Sequence, residues 1–322
     1  MSLDEILKPI QPDLARVEES LERFLRSDLR IADEVGRFLA RTKGKRIRPA
    51  LTLLASKASG YRGTRAAKAA VAVELIHTAT LVHDDLVDRS SRRRGVPTVN
   101  ARWGDSISVL MGDLLFSKAF ELLREKPFQR VSLRLIQAAH QMSHGELRQT
   151  ESKGSLDIRE KDYLAIIREK TASLFAAAAE CGAYFGRSSG EAPLARFGLQ
   201  WGTAFQIVDD VFDFVGDSRF LGKPVASDVR DGKITLPLIY ALQNAPQKEA
   251  DRARAIIWSK HILDGGFEDI ARFTRNWGGI DYALGKARAA TDQARMALKT
   301  LPRSPARESL GELADYVIAR QR

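Results

Sequence analysis

The chain has 322 residues, 44% hydrophobic and 29% charged, a balance that excludes a disordered chain and supplies ample volume for a core. Lys and Arg outnumber Asp and Glu by 51 to 41, for a formal charge of +10, which belongs to a solvated surface or to an anionic partner. The basic residues are scattered with few aromatics beside them, so nucleic acid is not the expected partner; phosphorylated small molecules and an anionic membrane face both stay open.

A single cysteine, Cys181, excludes an internal disulfide and fits a reducing compartment. The opening "MSLDEILKPIQPDL" carries early acids and no apolar core of signal-peptide length. No run approaches the roughly 20 apolar residues of a membrane span. A cytoplasmic protein without a membrane span is expected.

In chain order, "LARVEESLERFL" (14–25), "RAAKAAVAVELIHTATLV" (65–82), "SISVLMGDLLFSKAFELL" (106–123), "DYLAIIREKTASLFAAAAECGAYFG" (162–186) and "ARFGLQWGTAFQIVDDVFDFV" (195–215) all repeat apolar residues at helical spacing. Nothing alternates over a useful length as a half-buried strand would. Short breaks fall at "GYRGT", "RSSRRRGVPT", "SKGSLD", "GRSSGEAP", "NAPQKE" and "PRSPA". They are evenly spread, and none reads as a linker. The outlier is "GDSRFLGKPVASDVRDGKIT" (216–235), a long polar stretch of the kind that is functional or disordered. The expectation is one all-α domain over residues 1–322, a bundle of ten or more helices.

Two short segments carry the chemistry. Asp84, Asp85 and Asp88 follow an apolar helical run, with Asp84 and Asp88 four apart on one helix face. Asp209, Asp210 and Asp213 repeat that spacing after "AFQIV". Six carboxylates at the ends of two apolar helices repel one another unless water or cations compensate. One such cluster would serve equally well as a solvated helix end. Its repetition with matching lead-ins favours a shared metal site, and oxygen-only donors select a hard ion such as Mg²⁺, which shares itself with substrate phosphates. Helices presenting such faces across a cavity would grip a diphosphate through bridging Mg²⁺, neutralising a leaving group.

With these clusters the chain also carries "GKRIRP" (44–49), "RRG" (93–95), "GD" (112–113), "GEL" (145–147), "KTA" (170–172), "GKP" (222–224) and "DGKITLP" (231–237). In order and spacing it resembles the trans-type polyprenyl diphosphate synthases, over nearly its whole length. The one small departure is Lys43-Gly44 where a double glycine is usual. The resemblance implies the isoprenoid synthase fold, helices around a central cavity. It also implies head-to-tail joining of isopentenyl diphosphate to an allylic diphosphate, with up to three Mg²⁺ ions. Asp84 and Asp88 would bind two of these and Asp209 the third, while Asp85, Asp210 and Asp213 act directly or through water. Arg93, Lys170, Gln206, Lys223 and Lys233 would contact the allylic diphosphate. Lys45, Arg48, His77 and Arg94 would form a metal-free isopentenyl diphosphate pocket; guanidinium and ammonium groups both suit phosphate oxygens. Taken alone, His77 is as well read as a satisfied core residue; its place two turns before Asp84 on the same face favours the ligand role. Thr171 and Gln206 would stabilise the allylic cation, the departing diphosphate would take the proton, and the 216–235 stretch would close as a lid hinged at Gly222 and Gly232. Arg320 and Arg322 at the C-terminus either help close the isopentenyl pocket or belong to a frayed end. A homodimer is expected, with the 106–123 helix as interface, together with peripheral membrane contact for product release.

The resemblance places chain-length control one turn before the first cluster, at Ala79 and Thr80, where farnesyl-type enzymes carry an aromatic. Small side chains there either permit close helix packing or leave a channel of about 22 Å along the helix back to Ala69. Ile76 is a possible floor. The expected product is heptaprenyl to decaprenyl diphosphate, octaprenyl the central value, with farnesyl diphosphate as primer. Three rival readings fit the sequence less well. A His-Asp phosphohydrolase using His83 and Asp84 leaves the second cluster unexplained, a terpene cyclase has no need of Lys45, Arg48 and Arg94, and a non-catalytic partner subunit has no need of all six aspartates.

Overall fold

The computed structural model describes residues 2–42, 44–93, 95–215, 227–259 and 266–319. The fold is all-α, as expected. The sheet among the described residues is one two-residue antiparallel ladder, pairing Arg92 with Pro97 and Arg93 with Val96. No helix among these residues is long and apolar enough to cross a membrane. The chain forms two compact units. One comprises Met1–His140, Leu174–Gly198 and Arg295–Leu313, the other Gln141–Ser173, Leu199–Ala294 and Ala314–Arg322.

The first unit is organised around the Arg65–Val87 helix. This helix is apolar on every side, and a helix of that kind must be surrounded. Ala66, Ala69, Ala70, Ala72 and Ala79 are buried along it, and their small side chains admit the Gln11–Leu25, Ile47–Ala58 and Asp105–Leu122 helices close to its backbone. As the four-residue spacing predicts, the helix carries the aspartates: its regular turns continue through Asp84 and Asp85 to Val87, with Asp88 as the cap. They stop at Arg89, which takes a left-handed φ of 50°. The Ser90 amide then donates to the Asp85 carbonyl at 2.8 Å, the reversal that normally closes a helix at a glycine.

The second unit contains the Glu160–Ile167 helix, the later part of the Glu191–Val215 helix, and the Leu236–Asn244, Gln247–Trp258, Gly266–Asn276 and Gly279–Leu298 helices. Tyr163, Ile166, Trp201, Val208, Phe214, Leu238 and Ile270 build its core. The stretch read as a continuous helix over 162–186 is instead broken by a π-helical turn, Arg168–Ala172, between Glu160–Ile167 and Ser173–Ala183. The neighbouring Gln129–Glu151 helix packs closely against this turn. Gly145 comes so close that a Cβ there would stand 2.5 Å from the Lys170 amide nitrogen. An extra residue in the turn re-aims the side chains after it, which is why such bulges gather at functional sites.

The polar stretch 216–235 is not loop throughout. Its residues 216–226, including Gly222 and Lys223, lie outside the described residues; Ser227–Arg230 is a helical turn, and Gly232 follows at φ +77°, its amide donating to the Val229 carbonyl at 3.0 Å. Lys43, Arg94, Arg320 and Arg322 also lie outside the described residues.

Candidate active site: two aspartate clusters and their basic neighbours

In the first cluster Asp84 and Asp88 are half-buried and Asp85 is buried. Carboxylates at a helix C-terminus meet the negative end of its dipole, so this arrangement needs a counter-charge. The reversal at Arg89 supplies one. It returns the chain as the Arg92–Val96 hairpin, and Arg93 Nε donates to Asp85 Oδ1 at 2.8 Å. His83, next to the cluster, points elsewhere. Its Nε2 lies 3.1 Å from the Val109 carbonyl oxygen, and its ring fills the space left by Gly112, where a Cβ would stand 2.0 Å from Nε2. The "GD" pair therefore makes room for His83, a geometry that does not serve a His-Asp metal site.

Of the residues expected to bind isopentenyl diphosphate, Arg48 and His77 meet in the same unit. Arg48 Nη1 donates to His77 Nε2 at 2.9 Å, and the Arg48 guanidinium lies 4.1 Å from the centre of the Phe175 ring, stacked as cation on π face. Lys45 is exposed and Arg48 half-buried. Between them Arg46, unmarked by spacing, sits in left-handed backbone at φ 49°, ψ 34°. Its Nε donates to Glu18 Oε1 at 2.5 Å and its Nη1 to Glu74 Oε1 at 2.8 Å. Burial alone would lower the Arg46 guanidinium, but the two carboxylates outweigh it and leave the pKa raised. Arg46 is thus a strut that fixes the backbone from which Lys45 and Arg48 project. Of the expected chain-length positions, Ala79 and Ile76 are 0% exposed. Thr80 is half-buried and its hydroxyl donates to the His77 carbonyl at 2.8 Å; it alone of the three borders open space.

The second cluster repeats the burial pattern of the first, with Asp209 and Asp213 half-buried and Asp210 buried. Both Asp210 oxygens are taken, Oδ2 by the Tyr163 hydroxyl at 2.6 Å and Oδ1 by Gln206 Nε2 at 2.8 Å. The Thr171 hydroxyl donates to Gln206 Oε1 at 2.9 Å, so the π turn is tied to the cluster. Asp213 Oδ2 accepts from the Asp228 amide at 3.0 Å. Burial, and after it the Asp228 carboxylate, push Asp210 well above the ordinary carboxylate range, against the lowering effect of its two donors. Burial and Asp210 likewise raise the Tyr163 phenol. Lys170 is ion-paired with Glu146 of the "GEL" segment, and Lys233 lines a cavity of about 140 Å³ with Lys170, Thr171, Gln206 and Asp210. The expected groups Lys170, Thr171, Gln206, Asp210 and Lys233 are therefore brought together.

Tyr163, Glu146, Asp228 and Arg46 were not singled out by the sequence. Glu146 and Arg46 fall inside quoted motifs, which was their only signal; no spacing marks Tyr163 or Asp228. Among the described residues no group of three or more His, Cys, Asp and Glu side chains forms a ready-made metal site. The donors nevertheless fit Mg²⁺. Each cluster offers two half-open carboxylates one turn apart, the mutual repulsion at Asp210 is what a cation relieves, and Mg²⁺ is normally held by one or two carboxylates plus substrate phosphates.

The family described as polyprenyl synthetase matches residues 30–266. The octaprenyl diphosphate synthase of Escherichia coli (strain K12) is 35% identical over 327 aligned positions, covering 100% of both chains. The short chain isoprenyl diphosphate synthase of Methanothermobacter thermautotrophicus is 38% identical, over 95% of this chain and 94% of that one. Among solved structures, a polyprenyl synthase from Caulobacter crescentus CB15, complexed with calcium and isoprenyl diphosphate, superposes with a TM-score of 0.93 at 36% identity, over 100% of this chain and 98% of that chain.

Proposed function

The chain belongs to the polyprenyl synthetase family, and on that premise we propose that it condenses isopentenyl diphosphate head to tail with an allylic diphosphate, farnesyl diphosphate as primer, releasing diphosphate. The observation that carries this reading is the shared pattern of the two clusters: outer aspartates half-buried, the inner one buried and bonded to a side-chain donor from another segment. Mg²⁺, when bound, would be held chiefly by Asp84, Asp88 and Asp209 and would neutralise charge on the leaving diphosphate.

The remaining work falls to the chain's own groups. Arg93, Lys170 and Lys233, with Lys223 from outside the described residues, grip the phosphate oxygens of the allylic substrate, and Arg94, also outside them, belongs with the isopentenyl diphosphate pocket. Asp85 and Glu146 hold two of these cations in place before substrate arrives. Lys45, Arg48 and His77 hold the isopentenyl diphosphate. As the allylic carbon–oxygen bond breaks, its electron pair leaves with the diphosphate. The isopentenyl double bond attacks the allylic carbon, and the proton lost afterwards goes to the departing diphosphate. Thr171 and Gln206 place oxygen dipoles toward the cation.

Product length is proposed as heptaprenyl to decaprenyl, with octaprenyl central. The support is the lack of an aromatic at 79 and 80, although relatives at similar identity make both short and long chains. With Ala79 enclosed, the channel wall is assigned to Thr80. A homodimer and transient membrane contact during release of an apolar product complete the reading, for a protein working in the cytoplasm.

The test is incubation of the purified protein with Mg²⁺, labelled isopentenyl diphosphate and farnesyl diphosphate, followed by organic extraction and reverse-phase chromatography. Elongated label is expected, lost in Asp84→Ala and in Asp209→Ala with the fold retained. Free phosphate without elongation, or a neutral hydrocarbon, would refute the assignment. Thr80→Phe is expected to shorten the product; an unchanged length removes the channel argument. Sedimentation measures the dimer.

A further inference from the structure

We propose that Tyr163 is a positioning residue for the second aspartate cluster: it fixes Asp210, and through Asp210 the outer carboxylates Asp209 and Asp213, in the arrangement that accepts a divalent cation together with a diphosphate. The proposal rests on the synthase reading and extends it to a residue that no motif marks.

Tyr163 is 3% exposed, and its hydroxyl is 2.6 Å from Asp210 Oδ2. Because Gln206 occupies the other oxygen, Asp210 has a side-chain donor on each of its two oxygens and is held from both sides. A chain of four side chains results, from Thr171 through Gln206 and Asp210 to Tyr163. All four border the cavity, and Tyr163 is at the same time buried in the core of its unit. Its helix is itself pinned. Three residues before Tyr163, Glu160 accepts from the Tyr282 hydroxyl at 2.6 Å and pairs with Lys286 Nζ at 2.7 Å, and Tyr282 stacks on Tyr240 with ring centres 3.9 Å apart. The helix bearing Tyr163 is therefore held against rotation, and a fixed phenol holds a fixed carboxylate. Groups that orient metal ligands from behind commonly change metal affinity or activity by about 10- to 100-fold when removed. A purely structural phenol would leave cation affinity alone and lower only stability.

The experiment is calorimetric titration of Mg²⁺ into wild type and Tyr163→Phe, each saturated with a non-reactive thio analogue of farnesyl diphosphate. The phenyl ring preserves packing, so the unfolding midpoint should move little. Cation binding should weaken by about 10-fold or more, while KM for isopentenyl diphosphate stays within about twofold, because its pocket residues are not in the chain of bonds. In an Asp210→Asn background, Tyr163→Phe should add almost nothing, since the two act as one unit. Lys286→Met, a half-exposed change that loosens the pinned helix without entering the core, should weaken cation binding by a smaller factor; it carries the test should Tyr163→Phe fail to fold. Unchanged cation affinity in the folded variants, or equal losses in the Asp210→Asn and Asp210-intact backgrounds, overturns the role of Tyr163 and leaves the synthase reading standing. Absence of cation binding by the wild-type complex overturns both.

Discussion

Replacing Arg46 with methionine isolates a strut that touches no substrate. The side chain is 16% exposed and bridges Glu18, at 26%, and Glu74, at 6%. Methionine keeps the length of the stem but leaves the Glu74 carboxylate buried without its counter-charge. Breaking a buried pair in this way costs about 3–5 kcal/mol, because the orphaned charge keeps its desolvation penalty. At ~2.1 cal/mol/K per residue, 322 residues give an unfolding entropy near ~0.7 kcal/mol/K. A loss of ~4 kcal/mol then lowers the thermal midpoint by about 6 °C. The assay is thermal unfolding followed by circular dichroism at neutral pH. KM for isopentenyl diphosphate should rise, since the left-handed backbone at Arg46 aims Lys45 and Arg48. A midpoint within about 1 °C of wild type, with KM unchanged, would refute the strut.

Gly112→Ala places a methyl 2.0 Å from His83 Nε2; the ring must swing away and lose its bond to the Val109 carbonyl, at about 1–3 kcal/mol, with a slower elongation rate because His83 neighbours Asp84. Unchanged thermal midpoint and rate would show that the ring relaxes freely. Burial pushes the Cys181 thiol up to about 12, so a thiol reagent at pH 8 should react with the folded protein only at the rate of its unfolding, and prompt reaction would show the site to be open. The donors from Lys286 and Tyr282 outweigh burial and hold Glu160 below the usual carboxylate range. A depressed pKa contributes stability above its unfolded value and loses it as pH falls through the folded one. Lys286→Met should therefore be about 1 °C less stable at pH 7, the effect of a partly exposed pair worth up to about 1 kcal/mol, and the difference should fade below roughly pH 4.5. A difference independent of pH would place the effect in packing.

Much of this protein is readable from spacing, because helix faces and metal-ligand pairs are local. Apolar residues at helical intervals announce the all-α fold, and aspartates four apart announce two carboxylate faces whatever surrounds them. The outer and inner aspartates, however, look identical in sequence. Tertiary packing buries Asp85 and Asp210 and leaves the outer four half-buried, and side-chain donors for the buried pair come from elsewhere: Arg93 through a left-handed turn at Arg89, Tyr163 from a helix 47 positions earlier in the chain. The π turn at 168–172 was equally invisible, since it packs against Gly145 on another helix, where no Cβ fits. Local repeats specify which atoms are offered. Which of them stay open is set by burial and by donors distant in the chain, and both exist only once the helices have packed.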